Sequence, residues 1–98
     1  MELENDSTQS RMCRALSLTI TALIRNQGCR ECVVINIREV DRILRSNPFL
    51  LMSRNACLFV IYLIDYYDFG NNMRRRVLQS LRMHYQGDFD ELLDPVSD

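Results

Sequence analysis

Nine consecutive apolar residues, "ACLFVIYLI" from Ala56 to Ile64, limit what this chain can become. A helical span of a bilayer takes about 20 mostly apolar residues. Here Arg54 and Asn55 close one end, and Asp65 and Asp68 close the other. The run is too short for a membrane, so it fills a core or waits for a partner. Its surroundings, "SRNACLFVIYLIDYYDFG", are long enough for a helix, with Ser53 as N-cap and Gly70 as C-terminal stop. On that helix Ala56, Val60, Leu63 and Tyr67 share one face and Cys57, Ile61 and Ile64 another. A helix apolar on both faces is packed by neighbours on several sides.

Helical spacing continues through the rest of the chain. Asp6 followed by Gln9 reads as a capping box. Cys13, Leu16, Ile20 and Leu23 then align on one face of a helix over 7–24, with a bend expected near its middle, where Ser17, Thr19 and Thr21 are mediocre helix formers. "NQGCRECVV" breaks at Gly28 and is either a short helix or a turn into a strand-like "VVI". Asn36 with Glu39 reads as a second capping box, opening a helix over 37–46 with Ile37, Val40 and Leu44 inward, ended by "SNP". "FLLM" is a connection. Asn72 is expected to cap a helix over 73–86, with Val77, Leu78, Leu81 and Tyr85 inward, Arg75, Gln79 and Arg82 outward, and Gly87 as its end. Asp88 with Glu91 opens a last short helix before Pro95, with Phe89, Leu92 and Leu93 inward. The expectation is an all-α fold of five or six helices in one domain over 1–98, with short acidic extensions at both ends.

A 98-residue chain buries only about two-thirds of the surface its unfolded form exposes, so the core is modest. With 47% hydrophobic and 26% charged residues the composition is globular rather than disordered. The N-terminal "MELENDSTQS" is acidic and lacks the basic-then-apolar pattern of a secretory signal, which points to a cytoplasmic protein. The formal net charge of -1 hides an arrangement along the chain: three acids in residues 1–6, a body over 7–86 with net charge +7, and five acids in residues 87–98. A basic body invites an acidic partner, protein or nucleic acid. All 12 basic residues are Arg, whose planar fork pairs carboxylates and phosphates bidentately. The plain alternative is a solvated face that keeps the protein soluble.

"CREC" is the sharpest short motif. A zinc site needs four ligands, and beyond Cys29 and Cys32 only Cys13, Cys57 and the lone His84 remain, without ligand spacing. A thioredoxin-like redox site wants the motif at a helix start after a strand, whereas here it follows a helix. Cys29 and Cys32 are therefore expected to face the core as small hydrophobes, and His84 to lie at the surface or rim. Triad, metal, phosphate-loop and acid/base templates go unfilled, so no enzyme, cofactor or metal is expected. Arg38, Arg42 and Arg45 form one stripe opposite Ile37, Val40 and Leu44. Arg11 and Arg14 neighbour each other, Arg54 opens the long helix, and "RRR" occupies 74–76. "DFDELLDP" is either a groove-docking peptide or, as expected here, a final core helix.

Taken in order, "VINIREVDRIL", "SRNACLFVIYLIDYYDFG" and "VLQSLRMHYQGDFDELLDP" resemble the caspase recruitment domain (CARD) of the death-fold superfamily, over residues 10–94. The resemblance is carried by acids in a short helix (Glu39, Asp41), a basic and a small residue opening a long helix (Arg54, Ala56), Gly70, an "LxxL" run (Leu78, Leu81), and a last short helix with Gly87, Phe89, Leu92 and Leu93. It departs from the family in a short second helix, Asn26 to Val33, that contains Gly28, and in three Arg on the third helix. The resemblance implies a six-helix antiparallel Greek-key bundle with the apolar run as its central fourth helix. It also implies homotypic association with another CARD-containing protein or with itself, building oligomers or filaments in apoptotic or innate-immune signalling, with no chemistry in the domain. Candidate contact residues are Arg11, Arg14 and Arg54 on a basic side, with Arg38 and Arg42 next. Glu31, Glu39, Asp41, Asp65 and Asp68 form the acidic side. No membrane partner is expected. A small Arg-rich helical nucleic-acid-binding protein is the alternative, ranked behind a protein partner.

Overall fold

The computed structural model describes the backbone of residues 2–93 and the side chains of 8–93; the expected stop at Pro95 and the end of the acidic tail lie outside the described residues. Five helices follow in chain order: α1 (Glu2–Arg25), α2 (Arg30–Ser46), α3 (Arg54–Tyr67), α4 (Asn71–His84) and α5 (Phe89–Leu93). Among the described residues the only β pairing is an isolated parallel bridge between Met52 and Tyr85. The fold is all-α.

The count differs from the six helices that the resemblance implies, and α2 is where it differs. The expected break and restart between Gly28 and Asn36 is absent, because neither Gly nor Pro interrupts residues 30–46 and one continuous stripe is buried. Val33, Ile37, Val40 and Leu44 are fully buried and Ile43 nearly so. Burying that stripe outweighs the modest helix propensity of the β-branched "VVI". Asn36 and Glu39 do not form a capping box: the Asn36 amide donates to the Cys32 carbonyl at 2.9 Å, and Glu39 turns to Arg42. α2 packs against α1, α3 and α4.

α1 begins at Glu2, so Asp6 lies within it rather than capping it. Leu16 and Leu23 are buried and Met12, Ala15 and Ile20 half-buried, while Cys13, expected inward, is exposed. The phase of the helix puts Met12 and Ala15 inward instead. Thr19 and Thr21 return their hydroxyls to the carbonyls of Ala15 and Ser17, each at 2.9 Å, which gives these poor helix formers local partners.

The apolar run is core. In α3 the residues Cys57, Val60, Ile61, Leu63 and Ile64 are buried, and the helix packs against α2, α4 and α5. Ser53 caps it, accepting from the Ala56 amide at 3.2 Å. Its end is made by Asp68, in the left-handed region at φ 54, rather than by Gly70. Asp is one of the few side chains that tolerate this conformation. Gly70, at φ 101, is the N-cap of α4 and supplies no side-chain bond; Asn72, expected as the cap, lies inside the helix. Val77 and Leu81 of α4 are buried as expected, Leu78 and Tyr85 partly so. The last motif packs back on its own domain: Phe89 and Leu92 are buried, and the Asp88 carboxylate accepts from the Asp90 amide at 3.1 Å.

His84 is buried, not at the rim. It closes α4 against the extended segment 50–52: Nδ1 is 2.6 Å from the Leu50 carbonyl, and the Met52 amide donates to the His84 carbonyl at 2.9 Å. These two bonds hold the α2–α3 connection while Leu50 and Met52 fill the core. Replacing His84 by Leu leaves the Leu50 carbonyl without its partner and lowers unfolding free energy by about 1–3 kcal/mol in urea titration. Met83→Ala, at an exposed neighbour, stays within about 0.5 kcal/mol of the parent.

Candidate interaction surface

α2 and α4 pack with a cleft between their solvent-facing edges, about 650 Å³ in volume. Arg38, Arg42 and Arg45 line it from α2 and Arg76 from α4, with Phe69 at one end. The α2 arginines come together because spacings of 4 and 3 put them on one edge of the helix. Arg76 joins them only through the packing of α4.

Asp41 lies in the floor of the cleft and is buried. The Ser80 hydroxyl of α4 donates to its carboxylate. Arg45 reaches the same carboxylate at 3.0 Å and Arg76 at 3.8 Å. One buried charge thus takes partners from both helices, which is what a buried carboxylate requires. Arg42 is paired within α2 to Glu39, its Nε at 2.9 Å from Oε1, and this hydrogen bond holds the Glu39 carboxyl below its ordinary range. Arg38 is exposed, with no ion pair among the described residues. Four guanidiniums against two carboxylates leave the cleft positive.

The other expected contact residues scatter. Arg11 and Arg14 are exposed on α1, and Arg54 is exposed at the first position of α3; neither an ion pair nor a cleft joins them among the described residues. Asp65 pairs with Arg74 at 2.9 Å, linking α3 to α4. Glu31, in the first turn of α2, and Asp68, at the end of α3, are exposed. Of the five candidate acids, Glu39, Asp41 and Asp65 are thus engaged inside the domain. Across α4 a second groove is lined by Arg74, Arg75, Leu78, Arg82 and Leu93. There Arg82 pairs with Asp90 at 2.8 Å and lies over the Phe89 ring.

The chain matches no family model, no curated protein and no solved structure. The resemblance to caspase recruitment domains therefore rests on sequence spacing alone.

Arg45 and Arg76 were outside the set of candidate contact residues. The stripe at 38, 42 and 45 was visible in the sequence; the approach of Arg76 to Asp41 was not, since it depends on which face of α4 meets α2. No group of three His, Cys, Asp or Glu among the described residues could hold a metal ion, and no described helix is long and apolar enough to cross a membrane.

The Asp41 cluster is open to a double-mutant cycle. Asp41→Asn and Ser80→Ala each destabilise the domain by about 1–3 kcal/mol in chemical denaturation. The double mutant loses less than the sum, with a coupling of about 0.5–3 kcal/mol.

Proposed function

We propose that this chain is a cytoplasmic protein-interaction domain of the death-fold type, which associates with another CARD-containing protein or with further copies of itself through oppositely charged faces. The observation that carries this reading is the arginine-lined cleft between α2 and α4. Guanidiniums on rigid helices, two of them anchored by a buried carboxylate, form a preorganised receptor for carboxylates on a second domain. Exposed Glu31 and Asp68, with the acidic residues at both chain ends, supply charge of the opposite sign on the same molecule. A basic face meeting a different, acidic face is a heterologous contact, and such contacts propagate into filaments when they do not close. In this reading α2 stands for the second and third helices of a Greek-key bundle run together, and signalling enzymes are gathered by the assembly.

Light scattering of the purified chain across protein concentration, at low and physiological salt, tests the reading. Growth into oligomers that salt suppresses is the expected result. Arg38→Glu, at an exposed position with no ion pair among the described residues, weakens association about tenfold or more without loss of helicity, since charge reversal at a complementary face affects both rate and affinity. Arg54→Glu tests the exposed start of α3 in the same way. A monomer at every condition that also fails to bind an acidic death-fold domain overturns the proposal.

A nucleic-acid partner is the second reading, favoured by Arg74, Arg75 and Arg76 in the early turns of α4. No acid occupies the first turn there, although the positive end of the helix dipole would favour one. It requires binding to labelled duplex RNA or DNA whose log affinity falls linearly with log salt; absence of a shift at low salt removes it.

A further inference from the structure

Cys29 and Cys32 are not core residues. Cys29 is exposed and Cys32 only half-buried. Gly28 ends the turn after α1, and Cys29 takes the N-cap position of α2 with extended backbone, φ -108 and ψ 106. The motif follows a helix, as the sequence shows, yet it also opens a new one of 17 residues. The Cys32 amide donates to Cys29 Sγ at 3.3 Å, and the two cysteines, with Cα atoms 5.2 Å apart, form a disulfide. That Cα separation lies within the ordinary range for a bridge.

The surroundings hold this turn in place. The Tyr67 hydroxyl donates to the Gln27 carbonyl, the Cys29 amide donates to the Asn26 carbonyl at 2.9 Å, and the Arg30 guanidinium lies 4.9 Å from the centre of the Phe69 ring. The turn before the motif is thereby tied to the last residue of α3, and the motif's Arg30 to the α3–α4 connection. An exposed sulfur at a fixed helix N-terminus, facing an amide and the positive end of the helix dipole, is where a thiolate is favoured and reactive.

We propose that Cys29 and Cys32 form a redox-active dithiol that exchanges with disulfides, Cys29 being the nucleophile and Cys32 the resolving thiol. The reduced pair meets a disulfide R–S–S–R. The Cys29 thiolate attacks one sulfur, a Cys29–S–S–R bond forms, and the R–S–S–R bond breaks with release of RS⁻. The Cys32 thiol gives up its proton, its sulfur attacks Cys29 Sγ, the intramolecular disulfide closes, and the second RS⁻ leaves. Two electrons pass from the cysteine pair to the incoming disulfide, and the two protons of the cysteines end on the two released thiols. A dithiol reductant runs the sequence backward. In a cytoplasmic setting a disulfide is typically transient, catalytic or sensory.

The remaining cysteines provide internal controls. Cys13 is exposed on α1, well inside the helix, and Cys57 is buried, where desolvation pushes its thiol up to about 11. The reduced full-length chain is treated with iodoacetamide at neutral pH and the adducts are mapped by mass spectrometry. Cys29 is expected to react about tenfold faster than Cys13, the gain a helix N-terminus confers. With glutathione disulfide in place of iodoacetamide, the parent closes the Cys29–Cys32 bridge. Cys32→Ser accumulates a glutathione adduct on Cys29, and Cys29→Ser forms neither product. Ser at position 29 remains a good N-cap, so that variant keeps its fold. Equal alkylation of Cys29 and Cys13, or glutathione adducts on both cysteines of the motif without ring closure, overturns the proposal.

Discussion

The rest of the fold depends on the burial of one stripe on α2. Val33, Ile37, Val40, Ile43 and Leu44 are all within 1% of complete burial, and three other helices pack against the helix that carries them. A single buried Leu or Ile contributes about 1.5–3 kcal/mol relative to exposure, so five together are large against the total stability of a domain this size. Their spacing forces α2 to run straight through the point where local propensity suggests a break. That continuity has two consequences for function. It sets the arginines of the opposite edge in a fixed line, and it leaves the CxxC motif at the open N-terminus of a long helix.

Elements governed by local chemistry were legible in the sequence. The apolar run at 56–64, the cap at Ser53, the inward positions Val77 and Leu81, and the final Phe89–Leu92 pair follow from periodicity and capping. At Asn36, Glu39 and His84 tertiary context overrides the local signal. Asn36 and Glu39 fit the capping-box spacing, but the buried stripe decided the matter and sent both side chains elsewhere. His84 reads as a surface residue until the 50–52 segment folds over it, and Cys13 shifts outward by a small change of helical phase. For the cleft, three of the four arginines could be read from spacing on α2. Arg76 could not, because nothing local says that α4 presents that residue to Asp41.

The charge pattern separates structural from available charge. Asp41 is nearly enclosed and satisfied by a hydroxyl and two guanidiniums, so its worth is mostly negative: left unpaired it would cost more than the assembled cluster returns. The pairs on the surface, Arg74 with Asp65 and Arg82 with Asp90, are about half-exposed and contribute at most about 1 kcal/mol each. They orient α3, α4 and α5 more than they stabilise them. Among the described residues Arg11, Arg14, Arg38, Arg54, Arg75, Glu31 and Asp68 are exposed and make no ion pair, so they are among the charges available to another molecule.

At Asp41 Arg has a physical advantage over Lys. A carboxylate in a partly closed floor must receive several donors from different directions, and a guanidinium can give one N–H to that carboxylate while its remaining donors point outward into the cleft. An ammonium is a compact point charge that would be drawn down to the acid and lost to the surface. Arg45 and Arg76 can therefore serve the fold and a partner at once, with side chains still 48% and 62% exposed. The buried carboxylate keeps both guanidiniums beside it as ion pairs, at 3.0 and 3.8 Å, while both line the cleft. A flexible basic surface would have to order its side chains on binding; at Arg45 and Arg76 the ion pairs to Asp41 lower part of that cost.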